Sequence, residues 1–279
     1  MKGFIYWMAI IVFVIASYTP GTARASNHLQ ACDTAECKEY FTAYRILTRR
    51  GHSEAMATLG ELYYAGYGTE KNTEQALKWF RRAAKFGITS AQYKAGVLYL
   101  QDSDFQDVEK GVSLIKKATK YDFSPACFVL GKIYLDGRFI PQDIPQADRW
   151  LSAAYKLNNH ETIKFSNRLK NSPKTASLEL TELFGLIESD FKATLAAGSN
   201  PPINEMETIV ITAPEYTEYF DSEIARLNKS IPDTSSGTGS KIAGRTCSKL
   251  WGCSTESDRE RIRDVLLSNW GLETIKWRP

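Results

Sequence analysis

Histidine is scarce in this 279-residue sequence. The three present, His28, His52 and His160, are scattered without metal-ligand spacing, so nothing suggests a metal centre. Charge of one sign is lacking too. The 35 Lys+Arg against 32 Asp+Glu leave no basic excess of the kind nucleic-acid binders show. No apolar run reaches the 18 residues expected of a membrane-spanning helix. Hydrophobic residues at 43% and charged residues at 24% exclude collagen-like, wholly disordered and multispanning chains. Catalytic constellations are also missing. Ser113-Leu114-Ile115-Lys116 satisfies S-x-x-K but has no S-D-N or K-T-G companion, and it falls in a repeat helix. Gly237-Thr238-Gly239-Ser240-Lys241 lacks the spacing of a phosphate loop. Carboxylates are plentiful, but nothing pairs them across a cleft. The sequence predicts a non-enzyme with no cofactor and no metal.

What is present begins with a sorting signal. Lys2 is followed by 15 residues, Phe4 to Tyr18, free of charge and proline. Pro20 and Gly21 break the run, and Ala23-Arg24-Ala25 supplies a small-x-small cleavage site. Residues 1–25 therefore read as a signal peptide cleaved after Ala25. An uncleaved N-terminal anchor is one alternative. Lipidation at Cys32 is another, although Gln30 and the distance from the apolar run fit a lipobox poorly. Cleavage removes Lys2 and Arg24, two of the three net positive charges. After cleavage no integral membrane span is expected.

All five cysteines lie beyond that site. Their spacing suggests two local disulfides, Cys32 with Cys37 and Cys247 with Cys253, as suits an oxidising compartment. Neither pair has C-x-x-C spacing. Cys127 is left over inside a helical pattern, where it reads as a small buried apolar residue.

A repeat organises the middle of the chain. Ala55, Leu59, Gly60, Tyr63, Gly66 and Gly68 recur 36 residues on as Ala91, Ala95, Gly96 and Tyr99. They recur 35 further on as Ala126, Leu130, Gly131, Tyr134 and Gly137. A second pattern follows each first one, in the order Ala76-Trp79-Ala83-Ala84, Gly111-Leu114-Ala118 and Ala147-Trp150-Ala153-Ala154. Each half has the spacing of an amphipathic helix, with Gly66-Tyr67-Gly68 at the turn between helix A and helix B. Gly60, Ala83 and Ala84 allow close helix approach, and Gly87 ends the first pair. In the middle unit Asp102 and Asp104 replace the turn glycines, so that turn is expected to differ. One hairpin cannot bury its apolar face alone, and the pairs must stack.

These residues resemble the Sel-one-like repeat (SLR) family, a branch of the tetratricopeptide superfamily. The resemblance covers about 120 residues and implies protein–protein scaffolding. The predicted fold class is all-α: a right-handed α-solenoid of stacked antiparallel helix pairs with a partly ordered C-terminal extension. Its expected parts are an N-terminal segment with a half-repeat helix at 26–50 and repeats at about 51–87, 88–122 and 123–158. Capping helices are expected at 161–197, and a linker and tail with a Cys247–Cys253 loop at 198–279. Some cysteine-rich family members are linked to β-lactam binding, but here the repeats carry only Cys127.

Two surfaces are candidate partner sites. The first is a helix A face comprising Tyr64, Tyr93, Val97, Leu100, Phe128 and Leu135. Either it is an exposed binding groove, or the C-terminal segment or cap helix covers it. The second is residues 207–213, which resemble the TonB box. Here Glu207, Thr208, Val210 and Thr212 belong to an extended β-rich run suited to adding a strand to a partner's sheet. Local strand pairing within the chain is the competing account.

The expected function is an exported, periplasmic or secreted, scaffold mediating protein–protein interaction in a bacterial envelope assembly or signalling system. Its partners are envelope proteins, and no nucleic acid is expected. The alternatives are a TonB-associated accessory protein docking through 207–213, or a peptidoglycan- or β-lactam-active enzyme.

Overall fold

A computed structural model describes residues 29–101, 103–170, 178–196 and 216–232. The expected signal segment 1–25, the TonB-box-like residues Glu207, Thr208, Val210 and Thr212, and the Cys247–Cys253 pair lie outside them. The described residues form helices and no strands, with one isolated bridge between Cys32 and Tyr67.

The helices are α1 (Ala35–Arg50), α2 (Ser53–Ala65), α3 (Thr73–Lys85), α4 (Thr89–Leu100) and α5 (Val108–Ala118). A 3-10 turn (Thr119–Tyr121) precedes α6 (Ser124–Asp136) and α7 (Ile144–Lys156), then α8 (His160–Lys170), α9 (Thr181–Ala196) and α10 (Tyr216–Lys229). The tightest partners are α2 with α3, α4 with α5, and α6 with α7. Each pair then packs on the next, giving an α-solenoid of antiparallel helix pairs. Helix α1 stands as the second helix of a preceding half-unit, while α8 and α9 continue the alternation at the other end.

Three periodic devices hold the stack. Gly60, Gly96 and Gly131 sit against Phe80, Ile115 and Leu151 of the paired helix, where an added Cβ would come within 2.6–2.8 Å of a side-chain atom. Only glycine allows that approach. The second helix of each pair is capped alike. Asn72, Asp107 and Asp143 accept from the backbone N–H groups of Gln75, Lys110 and Gln146 at 2.9, 3.0 and 2.9 Å. The same three residues donate their own N–H to the carbonyls of Tyr63, Tyr99 and Tyr134. Between units the chain reverses through a left-handed residue each time: Gly51, Gly87, Asp122 and Asn158, at φ of 100°, 83°, 51° and 53°.

The middle unit's inner turn does differ. Helices α2 and α6 end on left-handed Gly66 and Gly137, whereas α4 ends on extended Gln101.

At the N-terminal end, Cys32 and Cys37 form a disulfide. Cys32 also exchanges backbone hydrogen bonds with the turn of the first repeat, Cys32 N–H to Gly66 and Gly68 N–H to Cys32. The bridge thus pins the leading segment onto Gly66-Tyr67-Gly68. At the other end, buried Leu180, Leu183 and Ile187 seat α9 on the third repeat. Asp148 of α7 caps α9 across 34 and 35 residues, accepting from the N–H groups of Glu182 (2.8 Å) and Leu183 (2.9 Å).

Candidate functional site

The helix A face, read as either an exposed groove or a covered one, is largely filled. Tyr93, Val97, Leu100 and Phe128 are 0–4% exposed, while Tyr64 and Leu135 are half-buried. Tyr93 meets Phe123 edge-on at 5.5 Å, Leu100 lies against Gly111, and Phe128 packs on Phe165 of α8 at 5.7 Å. This face is therefore consumed by packing inside the stack, against the turn before α6, the paired helix α5 and the Phe165 ring of α8. Of the two accounts of this face, packing favours the covered one, with Phe165 of α8 as part of the cover. Tyr64 is covered in part by Lys71, whose ammonium lies 5.3 Å from the ring centroid.

Two charged groups are held inside this packing. Lys94 of α4, 1% exposed, pairs with Glu61 of α2 and lies 5.5 Å from the Phe80 ring. Lys132 of α6 lies 5.7 and 5.4 Å from the rings of Phe128 and Phe165. Burial, reinforced by the Arg168 charge, pushes its ammonium down to about 8.

The structure reveals a different recognition geometry at the N-terminal end. Helix α10 falls within the segment 198–279 that reads as linker and tail, yet Tyr216, Phe220, Ile224 and Leu227 line one helical face. Phe220, 1% exposed, enters a socket formed by Tyr40, Tyr44 and Tyr67, with ring centroids 5.3, 5.6 and 5.4 Å away. Polar contacts fix its register. Tyr40 donates to Asp221 at 3.0 Å, Arg50 donates to Asn228 at 2.6 Å, and Arg226 pairs with Glu54 and Glu223. An amphipathic helix from outside the repeats is thus received by an aromatic socket with charged anchors at its rim. Burial and the Asp221 hydrogen bond push the Tyr40 hydroxyl up to about 12.

No group of His, Cys, Asp and Glu among the described residues could hold a metal ion. None of the described helices is long and apolar enough to cross a membrane. Cys127 is 1% exposed, and burial pushes its thiol up to about 11, the opposite of what a nucleophilic thiolate needs.

Fold and packing together define a helical-repeat solenoid. Comparison with known proteins identifies the repeats. Residues 53–85, 89–120 and 124–159 each match the Sel1 repeat model, so the stack is built of three Sel1 repeats, a scaffold type that typically mediates protein–protein interaction and is in general non-catalytic. Among curated proteins the chain is similar to chitin synthase regulatory factor 1 of Schizosaccharomyces pombe (strain 972). The two are 25% identical over 128 residues, which cover 44% of this chain and 28% of that protein. The chain therefore spans little more than a quarter of this curated relative's length. Among solved structures it is similar to a Sel1 repeat protein from Oxalobacter formigenes, with 23% identity and a TM-score of 0.47, over 56% of this chain and 64% of that one. It is also similar to a protective antigen of uropathogenic Escherichia coli strains that displays an SLR fold. There the identity is 20% and the TM-score 0.43, over 72% of this chain and 45% of that one.

Proposed function

We propose that this chain is an exported, non-enzymatic scaffold that holds protein partners in a bacterial envelope assembly. The observation that carries the reading is the seating of α10, because a stack that holds an amphipathic helix in an aromatic socket has the chemistry to hold helices of other chains. Export is supported by the 15-residue apolar segment, by Ala23-Arg24-Ala25 and by the Cys32–Cys37 bridge. The name of the fungal relative, a regulatory factor, suits a protein that acts beside an enzyme rather than as one. The test is crosslinking in cells, with the crosslinked species identified by mass spectrometry after osmotic-shock fractionation. The mature chain is expected in the shock fluid, joined to an envelope protein. Purely cytosolic recovery overturns export, and the absence of any crosslinked envelope protein overturns the scaffold.

A further inference from the structure

The outer face of the second helices carries a groove that recurs from one repeat to the next. In the second repeat it measures about 630 Å³ and runs along α5 beneath the turn that joins α6 to α7. Val108 and Val112 form its apolar floor, with Phe139 and Ile140 as the wall. In the first repeat a groove of about 450 Å³ lies along α3 beneath the turn between α4 and α5. The two are built from the same positions. Glu74, Leu77, Arg81 and Phe105 line the first, and residues 35 positions on, Glu109, Val112, Lys116 and Ile140, line the second. The repeat thus copies a pocket together with its floor, its wall and its basic edge.

Bases outnumber acids in both grooves. Each has its glutamate in the first turn of the second helix, Glu74 or Glu109, and bases farther along the same helix, Lys78 and Arg81 or Lys116 and Lys117. The second groove has Lys116, Lys117 and Lys120 against Glu109 alone. Lys116 lies 5.5 Å from the Tyr134 ring, and no ion pair among the described residues engages any of the three. In the first groove Asp107 is occupied by its cap bond and its pair with Lys110, and Lys78 and Arg81 remain opposite Glu74. Bases at a helix C-terminus complement its own dipole. Stacking parallel helices adds something the single helix lacks. Arg49 and Arg50, Arg82 and Lys85, Lys116 and Lys117, and Lys156 all fall in last turns of second helices, and those turns contain no acid.

We infer that this face binds a protein partner through an extended segment that alternates acidic and apolar side chains. The apolar residues enter the repeated pockets, and the carboxylates meet the basic edge. The inference rests on the scaffold reading and names the chemistry of one partner. Apolar floors distinguish this occupant from a purely anionic one, because charge alone makes no use of Val112, Phe139 and Ile140.

The test uses the full chain and a fluorescein-labelled dodecapeptide of alternating Glu and Leu, read by anisotropy. Two control peptides carry Ser for Leu or Lys for Glu. Saturable binding is expected for the first peptide alone. The exposed double variant Lys116→Gln/Lys117→Gln should weaken it at least about tenfold while the far-UV circular dichroism of the helices stays that of the parent chain. Equal binding of the Ser-for-Leu peptide, or unchanged binding by the double variant, overturns the inference. Binding that appears only after Glu205, Glu207 and Glu215 are replaced by Gln identifies this chain's own acidic segment as the occupant and overturns a partner in trans. Retention by phosphatidylglycerol vesicles without peptide binding assigns the face to a membrane surface, which also overturns it. Envelope proteins that still crosslink to the double variant in cells leave the scaffold standing and count against this face alone.

Discussion

The Tyr40 hydroxyl donates a 3.0 Å hydrogen bond to Asp221, joining residues 181 positions apart. Tyr40 belongs to the half-unit that opens the stack, and Asp221 to the helix that returns to it from beyond the far cap. One face of the N-terminal end is therefore finished by the C-terminal extension. The first turn of α10 supplies Phe220 and Tyr216, which stack at 6.5 Å, and its last turn supplies Leu227 and Arg226.

Phe220→Ala should release α10 from its socket. Large aromatic truncations in cores cost about 3–5 kcal/mol, and here most of that falls on one docked helix. Amides of 216–229 are expected to lose protection in hydrogen exchange while the repeats keep theirs. Docking should also fail in alkali. The folded state holds the Tyr40 proton more tightly than the unfolded chain does. The contribution is complete below pH ~10 and is lost as pH rises through about 12. Tyr40→Phe should flatten that dependence, measured as exchange protection of α10 against pH.

Buried charge between the first two repeats gives a second prediction. Glu61→Gln leaves Lys94 charged and 1% exposed, without the carboxylate it pairs with. Breaking a buried pair from one side costs about 3–5 kcal/mol. The double replacement Glu61→Gln/Lys94→Met removes both charges and should recover most of the loss. Urea denaturation of the parent, Glu61→Gln, Lys94→Met and the double variant gives the coupling directly. Additive effects would mean that the two side chains do not act as a pair.

Much of this architecture was legible from residue type alone, and the failures have physical causes. Gly60, Gly96 and Gly131 mark close helix contacts because no other residue fits them. Gly51 and Gly87 announce the reversals between units, but Asp122 and Asn158 do the same work with side chains that tolerate the left-handed region. A search for glycine passes over them. The caps Asn72, Asp107 and Asp143 are equally periodic, yet polar residues in turns are common enough to go unremarked. Helix α10 was hidden by composition. Its acids suggest a linker, while the face formed by Tyr216, Phe220, Ile224 and Leu227 is the pattern that mattered. Asp148 could not be found locally, since the helix it caps begins 33 residues later. The sequence left the helix A face open to two accounts because apolar character on a first helix does not say whether solvent or the rest of the fold will meet it.

Lys132 provides a pH test with the opposite sign to Tyr40. Its ammonium is pushed down to about 8, so the folded chain holds that proton less tightly than the unfolded one. Stability should rise as pH climbs from about 8 toward the ordinary lysine value of ~10.4. Lys132→Met keeps the stem between Phe128 and Phe165 and removes the charge. It should raise stability at pH 7 by on the order of 1 kcal/mol and abolish that rise. Chemical denaturation at pH 7 and pH 9.5 separates the outcomes. A variant less stable at both would show that the ring contacts outweigh the cost of burial.

The third repeat offers the sharpest test of close packing, because its floor position is a glycine facing a leucine. A Cβ on Gly131 would lie 2.7 Å from Leu151 Cγ and 3.0 Å from the Leu151 backbone nitrogen. The backbone cannot yield as a flexible side-chain end can, so α6 and α7 must move apart. Helix propensity alone would favour alanine by about 1 kcal/mol, and overpacking opposes it by about 1–3 kcal/mol. Gly131→Ala is therefore expected to be destabilising on balance, with a lower denaturation midpoint in urea. Leu151→Ala opens space and costs stability by itself, but it removes the side-chain part of the clash. Combined with Gly131→Ala it should lose less than the sum of the two single changes. If Gly131→Ala proves more stable than the parent chain, the two helices are not held at contact distance and the repeated glycine has only a conformational role.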